Sequence, residues 1–438
     1  FSKLGDAYTF YELSSRSESQ FKRKYGKTQI EYYVQNVRPR IKEIFSEKMT
    51  VSSEVSKDLI GIETLISNTS VINGFAFLKS GQTSIQTFNR TFIDLLSYFN
   101  DFGSLTNIDP EFKLRLYETF LKKSARQQKL GQFFTPRNVV KSMIKMAQLS
   151  SLKPDSLVLD PAAGVGGFVL EPLIDQASLP NNIELKSGQY KQKVRLLGLD
   201  VDERTNILAK ANTLIHLAEQ VKSRSVHPHS LNQLMADMFL VLNENHHLGS
   251  LNHPITEKAD VILTNPPYVT RGSAIYKDEI ENSSGLPNGI SLKNFYSRCG
   301  LGLEGLFLRY ISGALKPGGR AFVIVPQGML TRTESTLKET ILAECNLTAS
   351  ISLPPNTFFN TPQKTYILGL EKRFTPDDDR PEVFCAIASS IGESLDERRV
   401  PNPKDNTLSV IADCFVQYQA QPSQMAKEPR VKIVGSSN

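Results

Sequence analysis

The hydrophobic positions change rhythm near residue 130. Over residues 88–99, FNRTFIDLLSYF, the apolar positions Phe88, Phe92, Leu95, Leu96 and Phe99 recur at the spacing of an amphipathic helix. Upstream of 130, helical patterns alternate with polar breaks and little strand signal, which predicts a helical amino-terminal domain over 1–130. From 131, short apolar runs alternate with helical ones: SLVLD (156–160), VRLLGLD (194–200), DVILT (260–264) and RAFVIVP (320–326). That alternation predicts an α/β fold, a mostly parallel sheet covered by helices on both faces. In GLEGLFLRYISGAL, Leu303, Leu306, Phe307, Tyr310, Ile311 and Ala314 share one stripe, and KPGG returns the chain to a strand. After 345, LTASISLPP and KTYILGLEKR lie close enough to pair, giving the sheet an antiparallel final strand. These elements define a second domain, 131–375. Residues 376–438 read as a carboxyl-terminal extension, richer in Pro, Asp and Gln, with apolar pieces at EVFCAIA and LSVIADCFV.

With 438 residues, 40% hydrophobic and 22% charged, the chain is an ordinary globular one, and disordered or collagen-like classes are excluded. Apolar runs such as AFVIV (321–325) are far shorter than the roughly 20 residues of a membrane span, so no membrane partner and a cytoplasmic setting are expected. Phe1 opens no signal-peptide pattern, and a first residue other than Met implies a longer gene product or processing. Cys299, Cys345, Cys385 and Cys414 are scattered without a CxxC, against a zinc ribbon or a disulfide framework. His227, His229, His246, His247 and His253 lack regular ligand spacing; they read as a solvated loop, and no metal is expected. The formal charge of +6 is mild, with basic clusters FKRKYGK (21–27), RPRIK (38–42) and LKKSARQQK (121–129). Such runs serve equally as solvated faces or as contacts to a phosphate backbone.

SLVLD runs directly into PAAGVGGF and a further apolar stretch, so Gly164, Gly166 and Gly167 sit at a strand-to-helix turn where backbone can approach a ligand. NAD, FAD, S-adenosylmethionine or no ligand at all would fit that turn. Asp200, in GLDVDE, is placed to accept hydrogen bonds from ribose hydroxyls. It follows the glycines by more than the roughly 20 residues of compact dinucleotide folds, which disfavours NAD, and no Walker lysine follows the turn.

The run ADVILTNPPYVT places an amide and two prolines where a buried strand stops. An aromatic amine such as that of adenine is a poor nucleophile because its lone pair is delocalised. Acceptors for both of its N–H groups favour a pyramidal nitrogen with an available lone pair. The Asn265 side-chain oxygen and the Pro266 carbonyl can supply the two acceptors. Pro266 and Pro267 stiffen the loop, and Tyr268 offers a flat face for a flipped base. A plain turn after a buried strand is the bland alternative.

Five ordered motifs, GQFFTPRNVV (131–140), LDPAAGVGGF (159–168), ADVILTNPPY (259–268), LKPGGRAFVIVP (315–326) and LPPNTFFNTPQKTYIL (353–368), resemble the N6-adenine DNA methyltransferases. The likeness covers about 110–415 and is nearest to the modification subunits of type I restriction-modification systems. It implies an S-adenosylmethionine-dependent, Rossmann-like methyltransferase sheet and transfer of methyl to N6 of adenine in DNA. It also implies a specificity subunit as partner and leaves open whether a restriction subunit joins them. By that resemblance Phe133 and Phe134 line the cofactor pocket and Thr135 binds the methionine carboxylate. Asp160, Ala162, Gly164 and Gly166 hold the methionine part, Asp200 the ribose and Asp237 the adenine amino group. Phe359 faces Tyr268 across the flipped base, with Phe358 able to exchange roles. Thr135 followed by Pro136 also reads as a helix start, with threonine as the cap.

Two features depart from the family's pattern. Ala163 and Val165 stand where Cys and Ser are usual, and no large target-recognition domain follows the last strands. Sequence recognition is therefore expected from a separate subunit or domain. A methyltransferase acting on RNA or on protein glutamine, and a catalytically silent DNA-binding or assembly module, are the alternatives.

Overall fold

The computed structural model describes residues 10–44, 46, 48–68, 85–102, 134–175, 177–217, 228–242, 247–268, 273–283, 289, 291–299, 302–331, 335–358, 363–375, 380–396, 398–422 and 428–435. Its centre is a nine-stranded sheet built from β1 (Leu157–Asp160), β2 (Arg195–Asp200), β3 (Phe239–Val241), β4 (Ala259–Thr264), β5 (Leu315–Pro326), β6 (Cys345–Ser352), β7 (Thr365–Lys372), β8 (Val383–Ile387) and β9 (Val431–Val434). The order across the sheet is β9-β8-β6-β7-β5-β4-β1-β2-β3. β7 is antiparallel to both β5 and β6, and β9 to β8; the other pairings are parallel.

Apolar side chains on the central strands alternate between two cores. Val158, Val261, Leu263, Phe322 and Ile324 pack on one side; Leu157, Leu159, Ile262, Ala321, Val323 and Val325 pack on the other. A strand buried on both faces reads as a continuous apolar run, which is why β1 and β4 are so plain in the sequence. Truncating one such side chain, Leu159 for instance, costs about 2–5 kcal/mol. Asp260, the polar break in β4, accepts from the Leu157 N–H at 2.8 Å and the Lys316 ammonium at 2.7 Å. The KPGG segment does not end before β5 begins: pairing with β4 steps from Ala259–Leu315 to Val261–Arg320, so the turn bulges within the strand. Gly318 sits there at φ 75°, covered by the Phe374 ring.

Residues beyond 375 complete the same sheet with β8 and β9. The helix Thr407–Ala420 puts Leu408, Ile411, Ala412 and Phe415 into the core shared by Val139, Val140 and Met143 of the helix Arg137–Ala147. Short strands flanked by Pro and Asp gave little periodic signal, so their place in the sheet comes from tertiary packing.

Towards the amino terminus, capping boxes at Ser17 and Thr28 start the helices Glu18–Tyr25 and Gln29–Tyr32, and the predicted amphipathic helix spans Asn89–Phe102. Asn89 binds it to its neighbour, accepting from the Ile30 N–H at 2.9 Å. The stretch 46–68 behaves differently. It forms a small antiparallel ladder, Lys48–Thr50 with Ile66–Asn68, and buries Val51, Val55, Ile60 and Leu65 against Leu157 and Leu199 of the central sheet. Among the described residues no helix is long and apolar enough to cross a membrane, and no group of three or more His, Cys, Asp or Glu could hold a metal ion. The histidine-rich stretch is partly structured: His247 gives its backbone N–H to Glu279, and His253 is buried.

Candidate active site

Strand order reverses around β1, whose neighbours β4 and β2 carry the chain in opposite directions across the sheet. At such a point the loops leaving the carboxyl ends separate and open a crevice. Asp160 ends β1, Asp200 ends β2, and Asn265 follows directly on β4. Three of the sequence motifs therefore meet at one edge.

The glycine turn is fixed by its own acids. Asp160 Oδ1 accepts from the Ala162 N–H at 3.1 Å, and Asp200 Oδ2 accepts from the Gly164 N–H at 2.6 Å, its Oδ1 taking the Asp202 N–H at 2.8 Å. Ser250 Oγ donates to the Pro161 carbonyl at 2.7 Å, and the Ala163 N–H reaches the Leu199 carbonyl at 2.8 Å. Both key glycines need left-handed backbone, for different reasons. Gly164, at φ 53°, has nothing within 4 Å of where a Cβ would stand, so its face is open; Gly166, at φ 85°, would drive a Cβ to 2.8 Å from the Phe239 ring. The first fits close approach by a ligand, the second close packing of turn on sheet. Ala163 is buried beside Gly198, turned into the sheet, so it does not narrow the open side.

Charge in this crevice is costly. Burial pushes the Asp160 carboxyl up to about 7, against the hydrogen bond from Ala162, and the negative charge of Asp200 adds to the push. Burial likewise raises Asp200 despite its two backbone donors. Two adjacent buried carboxyls favour a cationic ligand between or beside them.

Across the crevice, Asn265 is gripped at both ends of its carboxamide. Its Nδ2 donates to Thr135 Oγ1 at 3.1 Å, and its Oδ1 accepts from the Tyr268 hydroxyl. Burial holds the Tyr268 phenol well above its ordinary range, and the charge of Glu304 adds to this, so the phenol stays protonated and able to donate. Pro266 is buried and Pro267 half-buried, leaving a stiff acceptor loop whose ionisable group, the Tyr268 phenol, already holds its proton. Such a loop can accept from an amine but cannot keep its proton.

Several expectations need revision. Thr135 does not cap the following helix: Pro136 occupies that position with no side-chain hydrogen bond, and the threonine hydroxyl turns to Asn265 instead. Asp237 lies in the helix Pro228–Met238, before β3 begins, and so at the opposite edge of the sheet from Asp160 and Asp200. There its carboxylate accepts from the Ser52 N–H at 2.9 Å and Gln233 Nε2 at 3.1 Å, facing a polar cleft of about 900 Å³ between Ser52 and Tyr190. The resemblance assigns Asp237 to the adenine amino group of the cofactor, but its place before β3 sets it apart from the crevice of Asp160 and Asp200. Phe358 is buried in the core. Phe134 is half-buried; Phe133 and Phe359 lie outside the described residues.

The sequence reading also passed over residues that shape the site. Arg137 Nε meets the buried Glu171 at 2.7 Å, joining the helix after Thr135 to the helix Gly167–Ile174 after the glycine turn. Glu304, a buried glutamate inside the otherwise apolar GLEGLF, faces Tyr268. A charge placed on an apolar stripe is the signal that could have found both.

The profile of the N-6 DNA methylase family matches residues 114–435. The type I restriction enzyme StySPI methylase subunit of Salmonella potsdam is 27% identical over 264 residues, which is 59% of this chain and 44% of that one. The EcoKI methylase subunit of Escherichia coli K12 gives the same identity and the same coverage of each chain. The chain thus spans under half the length of these curated relatives. Among solved structures, the type I restriction-modification methyltransferase subunit from Streptococcus thermophilus superposes with a TM-score of 0.59 at 18% identity, over 99% of this chain and 77% of that one, a likeness of fold. With the profile spanning most of the sheet and both loops of the crevice, this chain belongs to the N-6 DNA methylase family.

Proposed function

We propose that the chain transfers the methyl group of S-adenosylmethionine to the N6 amino group of adenine in DNA, as the modification subunit of a restriction-modification system. The carrying observation is the carboxamide of Asn265, fixed at the carboxyl end of β4 beside the glycine turn of β1. Bound S-adenosylmethionine supplies an electrophilic methyl on a sulfonium. The residues present fit it: Gly164 leaves room for close approach, and the carboxyls of Asp160 and Asp200 suit its cationic groups. Asp200 Oδ1 and Oδ2 each hold one backbone N–H and, as carboxylate oxygens, keep acceptor capacity for ribose hydroxyls.

On the acceptor side, Asn265 Oδ1 and the Pro266 carbonyl would take the two N–H groups of the adenine amine as its nitrogen pyramidalises. Tyr268 would leave Asn265 and stack on the flipped base, with Phe359 opposite. The chain's contribution is position and hydrogen bonding, worth most in a crevice from which water is excluded. Residues 1–130 would clamp DNA or dock a specificity subunit, and DNA as substrate implies a cytoplasmic setting. The curated relatives are named as subunits, which supports a division of labour in which another chain reads the sequence.

Co-expression with a candidate specificity subunit in a host without adenine methylation tests this. Marks of N6-methyladenine confined to one sequence motif are expected. Adenine marks absent from the genome, while the purified complex binds the cofactor, would contradict it.

A further inference from the structure

A hydroxyl carries one proton and two lone pairs, so it donates or accepts as its partner requires. Asn265 has a hydroxyl at each end of its carboxamide, Thr135 at one and Tyr268 at the other. Because a hydroxyl can present either its proton or a lone pair, the carboxamide can be satisfied in either of two orientations half a turn apart. Only one presents Oδ1 to an incoming amine. The other presents N–H to N–H, which repels the substrate. Tyr268 cannot decide between them once it leaves to stack on a base. The choice then rests on Thr135.

We propose that Thr135 is a positioning residue for methyl transfer, setting the orientation of the Asn265 carboxamide by accepting from its Nδ2. A carboxylate of the bound methyl donor would accept a hydrogen bond from the Thr135 hydroxyl; with its proton so engaged, the hydroxyl would offer Asn265 only lone pairs, which would hold Oδ1 towards the target. Cofactor loading thereby prepares the base-accepting loop. The proposal rests on the proposed methyl transfer and adds a coupling between its two half-sites. The contact supports it from an unexpected side, because Thr135 gives up the cap of its own helix to reach a residue 130 positions away.

Thr135→Val keeps the shape of the side chain and removes the acceptor; Thr135→Ser restores it. With the complex that methylates DNA, Thr135→Val is expected to lower kcat tenfold or more, and Thr135→Ser to return it to within threefold. In an Asn265→Asp background both ends of the side chain are acceptors, so adding Thr135→Val should change whatever turnover remains by less than threefold. A second readout needs no turnover. In protein labelled with 15N-asparagine, the side-chain NH2 signal that disappears in Asn265→Asp should shift on adding S-adenosylhomocysteine in the wild type and Thr135→Ser, but not in Thr135→Val.

A Thr135→Val enzyme with wild-type kcat, or an Asn265 NH2 signal that responds equally in Thr135→Val, overturns the proposal. If the signal behaves as expected while the complex labels no adenine, the coupling stands and the assigned reaction fails.

Discussion

Asp200 receives the backbone N–H of Gly164 at 2.6 Å, so the acid ending one strand holds the glycine turn that leaves the next. Replacing Asp200 by Ala strands two backbone donors, those of Gly164 and Asp202. A buried donor left unmade costs about 1–3 kcal/mol. Urea unfolding should therefore show Asp200→Ala destabilised by roughly 2–4 kcal/mol, with Asp200→Asn losing less because one acceptor oxygen survives. Equal losses would deny the acid this role.

The two left-handed glycines separate packing from binding. Gly166→Ala pushes a Cβ into Phe239 and Ala209 and adds backbone strain, and should cost about 2–4 kcal/mol in stability. Gly164→Ala meets nothing in the protein, so strain of about 1–2 kcal/mol is the whole cost. Its larger effect should be on cofactor affinity, which calorimetry would show as a loss of tenfold or more.

Asp160 gives a pH signature with a definite sign. Its carboxyl titrates near 7 in the folded protein against an ordinary 3.8. Folding therefore takes up a proton between those values, and this contribution to stability is full below the lower and lost as pH rises through the higher, at most about 1.4 kcal/mol per pH unit. A cationic cofactor favours the ionised form. Affinity for S-adenosylmethionine should rise with pH up to about 7 and then level off, with proton release at pH 6 visible as heats that depend on the buffer. Asp160→Asn should flatten the curve; a wild-type affinity independent of pH would contradict the assignment.

How far the sequence spoke for the structure depended on local pattern. β1, β2, β4 and β5 are buried on both faces and announced themselves as apolar runs, and the antiparallel pairing of β6 with β7 followed from their proximity. β3, with only Phe239, Leu240 and Val241, is too short to stand out in the sequence, so nothing there shows that Asp237 precedes a strand. β8 and β9 were hidden among polar residues. The Gly164 and Asp160 turn was legible because the backbone itself makes it. The grip of Thr135 on Asn265 was not, since a contact across 130 positions leaves no periodicity to read.

Arg137 and Glu171 make a buried ion pair between the helix that follows Thr135 and the helix that follows the glycine turn, and burial raises the glutamate against the pull of the arginine. Removing one partner leaves the other charge uncompensated. Glu171→Leu should cost about 3–5 kcal/mol, while Arg137→Met combined with Glu171→Leu should recover much of it. Thermal unfolding of the two variants decides this; a double variant no better than the single would mean that the pair also sets the geometry of the helices.

The most direct measurement is transfer of labelled methyl from S-adenosylmethionine to unmethylated DNA by the chain together with its specificity partner, with the product digested to nucleosides. Label in N6-methyladenine that falls at least a thousandfold in Asn265→Ala, while the variant still binds S-adenosylhomocysteine, is the expected result. Label in another nucleoside, or adenine labelling untouched by Asn265→Ala, would contradict N6-adenine transfer at this loop.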